Sequence, residues 1–170
     1  EEGSDSAVFD NVFELLVLAG RSIEHTMMMM IPEAFGTKFH ISADKRAFYE
    51  FHSAFMEPWD GPAAIVFTDG YKIGAALDRN GLRPLRYVIT KNKKVVLASE
   101  IGVLDIPQED ILEKGRLAPG KMFLVDTIEK RIKKDNEIKA LVSRQKPYRR
   151  WLEQNKIELH GLLQHPGPIK

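Results

Sequence analysis

Four apolar, strand-forming runs follow one another closely between residues 63 and 99: Ala63–Thr68, Lys72–Leu77, Leu85–Thr90 and Val95–Ser99. A parallel crossover needs about a dozen or more residues between strands. These connections are shorter, so neighbouring strands run antiparallel and the sequence predicts a meander. Asp69-Gly70 and Asn92-Lys93 supply hairpin turns. The runs Ala63-Ala64-Ile65-Val66-Phe67 and Val95-Val96-Leu97-Ala98 are apolar at successive positions, not alternate ones. Both faces of such a sheet need cover, by helices on one side and a second sheet on the other.

Between the second and third runs lies Asp78-Arg79-Asn80-Gly81-Leu82-Arg83-Pro84. Asn80-Gly81 tolerates positive φ, and Pro84 fixes its own φ while pushing Arg83 towards an extended conformation. The stretch reads as a sharp, rigid corner carrying Asp78, Arg79, Arg83 and, just beyond it, Arg86. Packing alone does not require this charge cluster. It reads either as a solvated, salt-bridged turn or as part of a site.

The residues before the strands carry helical patterns. Val8, Phe9, Val12, Phe13, Leu15, Leu16 and Ala19 make one broad face, capped by Ser4, Asp5 or Ser6 and closed by Gly20. Ser22 opens a second helix through Met27–Met30, ended before Pro32. The four methionines read as core filling, not soft metal ligands. Ala34 to Ile41 reads as a loop. Ser42 caps a third helix from Ala43 to Phe55, and His25, His40 and His52 read as packed or surface residues. After the strands, Pro107–Leu112 reads as a short helix and Gly115–Gly120 as a turn-rich corner. Lys121–Asp126 with Arg131–Lys133 reads as a closing hairpin. Glu137–Arg144 and Tyr148–Gln154 read as amphipathic helices, and 157–170 as a linker or tail after a domain spanning 1–156.

Composition removes several functions. The 170 residues are 44% hydrophobic, enough for one real core in an α+β domain. The net charge of +1 gives no general field for nucleic acid or a membrane. The apolar stretch Met27–Ile31 falls far short of the roughly 20 residues that span a bilayer. There is no cysteine, which excludes disulfides, thiolate metal sites and a cysteine nucleophile within these residues. No P-loop, dinucleotide fingerprint or metal-spaced histidine pair is present. No leader is recognisable, and the chain, opening on Glu, reads as a piece of something longer.

Several pieces in order are more specific than any one. They are Ser4-Asp5-Ser6-Ala7-x-Phe9-Asp10-Asn11, the methionine run ending in Ile31-Pro32-Glu33-Ala34, and Glu57-Pro58-Trp59-Asp60-Gly61-Pro62-Ala63. Then come Asp78 to Pro84, Ala98-Ser99-Glu100-x-Gly102-Val103, and Gly115-Arg116-Leu117-x-Pro119-Gly120-x-Met122-Phe123-Leu124-Val125-Asp126. This series closely resembles the glutamine amidotransferase domain of the glutamate synthase large-subunit family, to about Glu153. More distantly, the Asp-x-x-Gly-x-x-Pro-Leu corner and Ala-Ser-Glu resemble all class II amidotransferases, which are N-terminal-nucleophile hydrolases.

The resemblance implies an αββα sandwich of antiparallel sheets, here partial and lacking the N-terminal strands. It implies a glutaminase that frees ammonia for 2-oxoglutarate, with an N-terminal cysteine as nucleophile and its α-amine as base. That cysteine, the oxyanion Asn-Gly and the arginine gripping the substrate carboxylate would all lie upstream of Glu1, so this segment alone would be inactive. Asp5 matches the acid that binds the α-ammonium of glutamine, with Gly3 and Ser4 at the pocket rim. Asp78, Asn80, Arg83 and Glu100 match residues that tie the corner together by buried hydrogen bonds and ion pairs. FMN and an iron–sulfur cluster are implied for the full-length enzyme and none for this segment. The implied partners are glutamine and the rest of the large subunit, or a separate chain supplying it, in the cytoplasm. Exposed sheet edges would also permit self-association. The electron donor, whether NADPH, NADH or ferredoxin, lies in other domains. A nucleophile-less binding or scaffold module is the alternative reading, and a Ser or Thr nucleophile has no residue at the N-terminus to serve it.

Overall fold

The computed structural model describes residues 3–100 and 102–157. The expected tail therefore lies almost wholly outside the described residues. Three helices come first: α1 (Asp5–Leu18), α2 (Ile23–Met30) and α3 (Ala43–Ser53). Each begins with a serine N-cap. The Ser4, Ser22 and Ser42 hydroxyls accept from the backbone N–H groups of Ala7, His25 and Lys45 at 3.4, 3.3 and 3.3 Å. Such caps satisfy donors the helix leaves orphaned, for about 1 kcal/mol each. Gly20 closes α1 at φ 93°.

The strands are β1 (Ala64–Thr68), β2 (Lys72–Leu77), β3 (Arg86–Thr90), β4 (Val95–Ala98), β5 (Ile111–Arg116), β6 (Met122–Asp126) and β7 (Arg131–Lys134). Helices α4 (Asp135–Ser143) and α5 (Tyr148–Asn155) follow. Every pairing is antiparallel, as the short connections require. The strands do not form one meander, however. They divide into a first sheet ordered β1-β2-β6-β7 and a second ordered β4-β3-β5. The Asp78–Leu85 corner carries the chain from the first sheet to the second. Both expected hairpins form; Lys93 supplies the positive φ (65°) in the β3–β4 turn.

Strand β5 is the element the sequence conceals. Only Gln108–Asp110 of the expected short helix turns, as a 3₁₀ turn, and Ile111 then begins a strand against β3. Its sequence, Ile-Leu-Glu-Lys-Gly-Arg, has no alternation to announce it. As an edge strand with one face open, it does not need any.

The strands' period of two sorts the core into two clusters. On one face of the first sheet, Phe67, Ala76, Met122 and Leu124 meet Phe13, Met27–Met30, Phe48, Ile138 and Tyr148 from the helices. On the other face, Ala75, Leu77 and Phe123 meet Leu85, Leu117, Tyr87 and Leu97 of the second sheet and its approaches. The methionines are indeed core: Met27 to Met30 are all buried. The architecture is α+β, with helices on one sheet and a second sheet beneath it. Among the described residues, the outer face of the second sheet has no helix over it.

Of the three histidines, His40 is exposed, whereas His25 and His52 are buried and bonded to each other, Nε2 to Nε2 at 3.2 Å. His52 Nδ1–H donates to the Phe48 carbonyl at 2.7 Å, so the His52 Nε2 accepts from His25 when both rings are neutral. Burial lowers both pKa values, that of His52 to about 4; Arg21 repels a proton on either ring, and at His25 the hydrogen bond to Gln145 and the Glu24 charge only partly oppose the fall. The unfolded chain therefore takes up these protons first. Stability from the pair is complete above about pH 6.5 and is lost as pH falls towards 4. The melting temperature should drop between pH 6.5 and 5, before most carboxylates titrate. His25→Gln with His52→Gln should flatten that drop; an unchanged slope would assign it to other groups.

Candidate functional site

Four of the sequence stretches singled out above meet at one end of the first sheet. Asp78 is the hub. Its side chain is 3% exposed. Its Oδ1 accepts from the Ala63 N–H at 3.0 Å, and Oδ2 from the Asn80 and Gly81 N–H groups at 2.9 and 3.1 Å. Its backbone N–H donates to Ala63 O, while its carbonyl accepts from Gly81 and Gly120 at 3.0 and 2.8 Å. A carboxylate is suited to this place because it accepts several N–H bonds and has no proton of its own to place. Gly81 adopts φ 59° directly against Pro119, where any Cβ would lie 2.7 to 2.9 Å from that ring and its Cα. Only glycine fits there.

The 57–63 stretch is clamped to the same corner. Arg79 pairs with Asp60 at 3.0 Å, and Arg83 Nε donates to the Pro62 carbonyl at 3.2 Å. Trp59 anchors the stretch to the helices: its backbone N–H donates to Met30 O at 2.8 Å and its ring meets Phe9 edge-on at 5.5 Å. Phe13, one helical turn on, meets Phe67 at 5.8 Å.

Asp5 lies in the first turn of α1 and is exposed, with Gly3 and Ser4 also exposed. Ser4, not Asp5, is the cap, and Ser4 Oγ also lies 3.0 Å from Ser6 Oγ. The Asp5 carboxylate makes no hydrogen bond or ion pair among the described residues, so it is free to meet a cation. A groove of about 530 Å³ between α1 and β1 is lined by Ser6, Asp10 and Thr68 over Phe9 and Phe13.

The four corner residues do not share one environment. Asp78 is buried, whereas Asn80, Arg83 and Glu100 are exposed. The expected buried ion pairs are absent from the corner itself, because the arginines reach outward, Arg79 to an Asp60 that is 84% exposed and Arg83 to a carbonyl. Ala98 pairs with Arg86, so Glu100 lies past the end of β4, over the second sheet's outer face.

The buried charges lie next door, at residues sequence reasoning passed over. Glu33, from the stretch Ile31–Ala34, faces Lys45 at 3.0 Å, Lys139 at 3.2 Å and Lys121 at 3.8 Å. Asp135 faces Lys139 at 2.8 Å and Lys121 at 3.0 Å. Lys139 is buried and donates to the carbonyl of Gly120, whose N–H bonds Asp78. The network thus joins the corner to α3 and α4. Burial and the Glu33 charge hold the Tyr49 hydroxyl well above its ordinary pKa, so it stays protonated beside them. One signal was available: Ile138-Lys139 with Val142-Ser143 places a lysine on the buried stripe of α4.

Among the described residues, no group of three or more His, Asp or Glu side chains could hold a metal ion. With no cysteine in the sequence, an iron–sulfur cluster finds no thiolate here. No helix among the described residues is long and apolar enough to cross a membrane.

A family model described as "Glutamine amidotransferases class-II" matches residues 1–151. The glutamate synthase [NADPH] large chain of Bacillus subtilis is 53% identical over 159 residues, covering 94% of this chain and 10% of that protein. The glutamate synthase [NADH] of Schizosaccharomyces pombe is 48% identical over 162 residues, covering 95% of this chain and 8% of that protein. Ferredoxin-dependent glutamate synthase 2 of Synechocystis is 46% identical over 155 residues, covering 90% and 10%. The chain thus spans about a tenth of the length of these relatives. They differ in their named electron donors yet share this segment. The chain belongs to the class-II glutamine amidotransferases.

Proposed function

We propose that this chain is the C-terminal part, residues 1–156, of a glutamate synthase glutaminase domain, with 157–170 as a linker. The domain hydrolyses glutamine to glutamate and ammonia, and the ammonia goes on to 2-oxoglutarate in a downstream, FMN- and iron–sulfur-containing part of the cytoplasmic enzyme. The nucleophilic cysteine comes from a segment outside this chain, and the chain alone is inactive. The observation that carries the reading is the 53% identity to a glutamate synthase large chain, together with an exposed Asp5 carboxylate that makes no hydrogen bond or ion pair among the described residues.

In this reading Asp5 receives the α-ammonium of glutamine, and Gly3 and Ser4 shape the rim. Fixed at the first turn of a capped helix, Asp5 presents its charge in one place and loses little freedom on binding. Asp78 holds the corner, while Asn80, Arg83 and Glu100 support it from outside. No residue here touches the scissile amide; binding and orienting the substrate's amino end is this chain's share of the reaction.

The test is Asp5→Ala in the complete domain. A charge-assisted bond of about 1.5–3 kcal/mol corresponds to a rise in the glutamine KM on the order of 10- to 100-fold. kcat should change little, since the same contact exists before and during the reaction. The melting temperature should stay within a degree or two, because Asp5 is exposed. An unchanged KM would remove Asp5 from the site.

A further inference from the structure

We propose that Asn80 is a latent deamidation site, and that Asp78 keeps it closed by holding the Gly81 N–H whose proton the reaction must remove. The chemistry belongs to the corner itself and does not depend on glutaminase activity.

Asn80-Gly81 is the single Asn-Gly step in the sequence. In such a step the glycine nitrogen, once it has lost its proton, attacks the asparagine side-chain amide. A bond forms between Gly81 N and Asn80 Cγ, and the bond from Asn80 Cγ to Nδ2 breaks. The side-chain nitrogen takes up a proton and leaves as ammonia. Water then opens the cyclic imide at either carbonyl, which gives aspartate or isoaspartate at position 80. Glycine favours ring closure because it has no Cβ to obstruct the attack and its backbone turns freely. Asn80 is also exposed, so water for the second step is at hand. By sequence and exposure this residue should be labile.

The backbone around it opposes each requirement of the attack. The Gly81 N–H is shared between Asp78 Oδ2 at 3.1 Å and the Asp78 carbonyl at 3.0 Å. Removing its proton would break both bonds and place a nitrogen anion against a carboxylate, where like charge repels it. The peptide before it is pinned too, since the Asn80 N–H donates to the same Oδ2 at 2.9 Å. Nor can Gly81 swing freely towards Asn80 Cγ: it is held at φ 59° against Pro119, closely enough that a Cβ would lie 2.7 to 2.9 Å from that residue. The freedom that makes Asn-Gly reactive is spent on the turn. Isoaspartate at 80 would add a carbon to the main chain beside Gly81, at the crossing between the two sheets, so a lesion formed while the corner is open would hinder its closing again.

The test follows the peptide Asn80 to Arg86, which trypsin separates from residue 78 by cutting after Arg79. Mass spectrometry with chromatographic separation distinguishes its asparagine, aspartate and isoaspartate forms. At mildly alkaline pH, deamidation in the folded protein should be slower than in the urea-unfolded chain by on the order of ten- to a hundredfold, the equivalent of one hydrogen bond to a charged acceptor. Asp78→Asn, under conditions where circular dichroism shows it folded, should lose most of that protection. Met28→Ala, which destabilises the buried helical core away from the corner, should keep it. In the unsubstituted protein, the Gly81 amide should exchange its hydrogen at least about tenfold more slowly than the exposed Gly36 amide, which has no hydrogen bond among the described residues. Base-catalysed exchange removes the same proton as ring closure. Equal deamidation in the folded and unfolded chains overturns the proposal. So does Asp78→Asn reacting no faster than Met28→Ala, or a Gly81 amide that exchanges as freely as that of Gly36. If Asp78→Asn does not fold, the unsubstituted protein's deamidation and Gly81 exchange decide the matter.

Discussion

Replacing Asp78 by alanine should cost about 4 kcal/mol of stability, read as a lower urea midpoint with an unchanged slope. The carboxylate accepts three backbone N–H bonds, from Ala63, Asn80 and Gly81, in a place that is 3% exposed to water. Alanine leaves those donors unpaired, and bonds to a charged acceptor are worth about 1.5–3 kcal/mol apiece before they are found to be non-additive. Asp78→Asn should fall between, because its amide nitrogen would face N–H groups that need an acceptor. Arg79→Ala, one residue on, should change stability by less than about 0.5 kcal/mol, because its pair with Asp60 is solvated. A loss below about 1 kcal/mol for Asp78→Ala would mean that the carboxylate does not hold the corner.

Lys139→Met should be comparably severe, at about 3–5 kcal/mol. The Lys139 side chain is 3% exposed and lies between Glu33 at 3.2 Å and Asp135 at 2.8 Å. Removing it leaves two buried carboxylates facing each other with only Lys45 and Lys121 to compensate. Lys121 is 38% exposed, so Lys121→Met should cost less than half as much. Adding Glu33→Gln to Lys139→Met should recover part of the loss, because the orphaned charge is gone. Thermal or urea denaturation of these three variants and of Glu33→Gln alone measures this directly. A simple sum of the two single effects would contradict a coupled network.

These two sites show what a sequence can and cannot disclose. Ser4, Ser22 and Ser42 were legible as caps because capping is local chemistry. The antiparallel pairing was legible because short connections forbid anything else. The second sheet was expected, but which strands belong to it was not legible, since the order β4-β3-β5 includes a strand far along the chain. Strand β5 was missed because an open edge places no demand on alternation. The corner was legible as a charged, rigid turn, but the surroundings of its charges were not. Asp78 is buried among backbone N–H groups, and the ion pairs expected there belong to Glu33, Asp135 and the lysines around them. Glu33 and Lys139 are 106 positions apart, and nothing in their local sequences ties one to the other. His25 and His52 were read as packed, which they are; their mutual hydrogen bond depends on how α2 and α3 cross.

The central claim is that this chain supplies the substrate-ammonium side of a glutaminase whose nucleophile is carried elsewhere. The most direct measurement is ammonia release from glutamine by this chain alone, by the Cys-bearing segment alone, and by the two co-expressed. The account predicts release from the co-expressed pair only, with Asp5→Ala reducing it at low glutamine and excess glutamine restoring it. Release by this chain alone, or an active pair indifferent to Asp5→Ala at low glutamine, would contradict it.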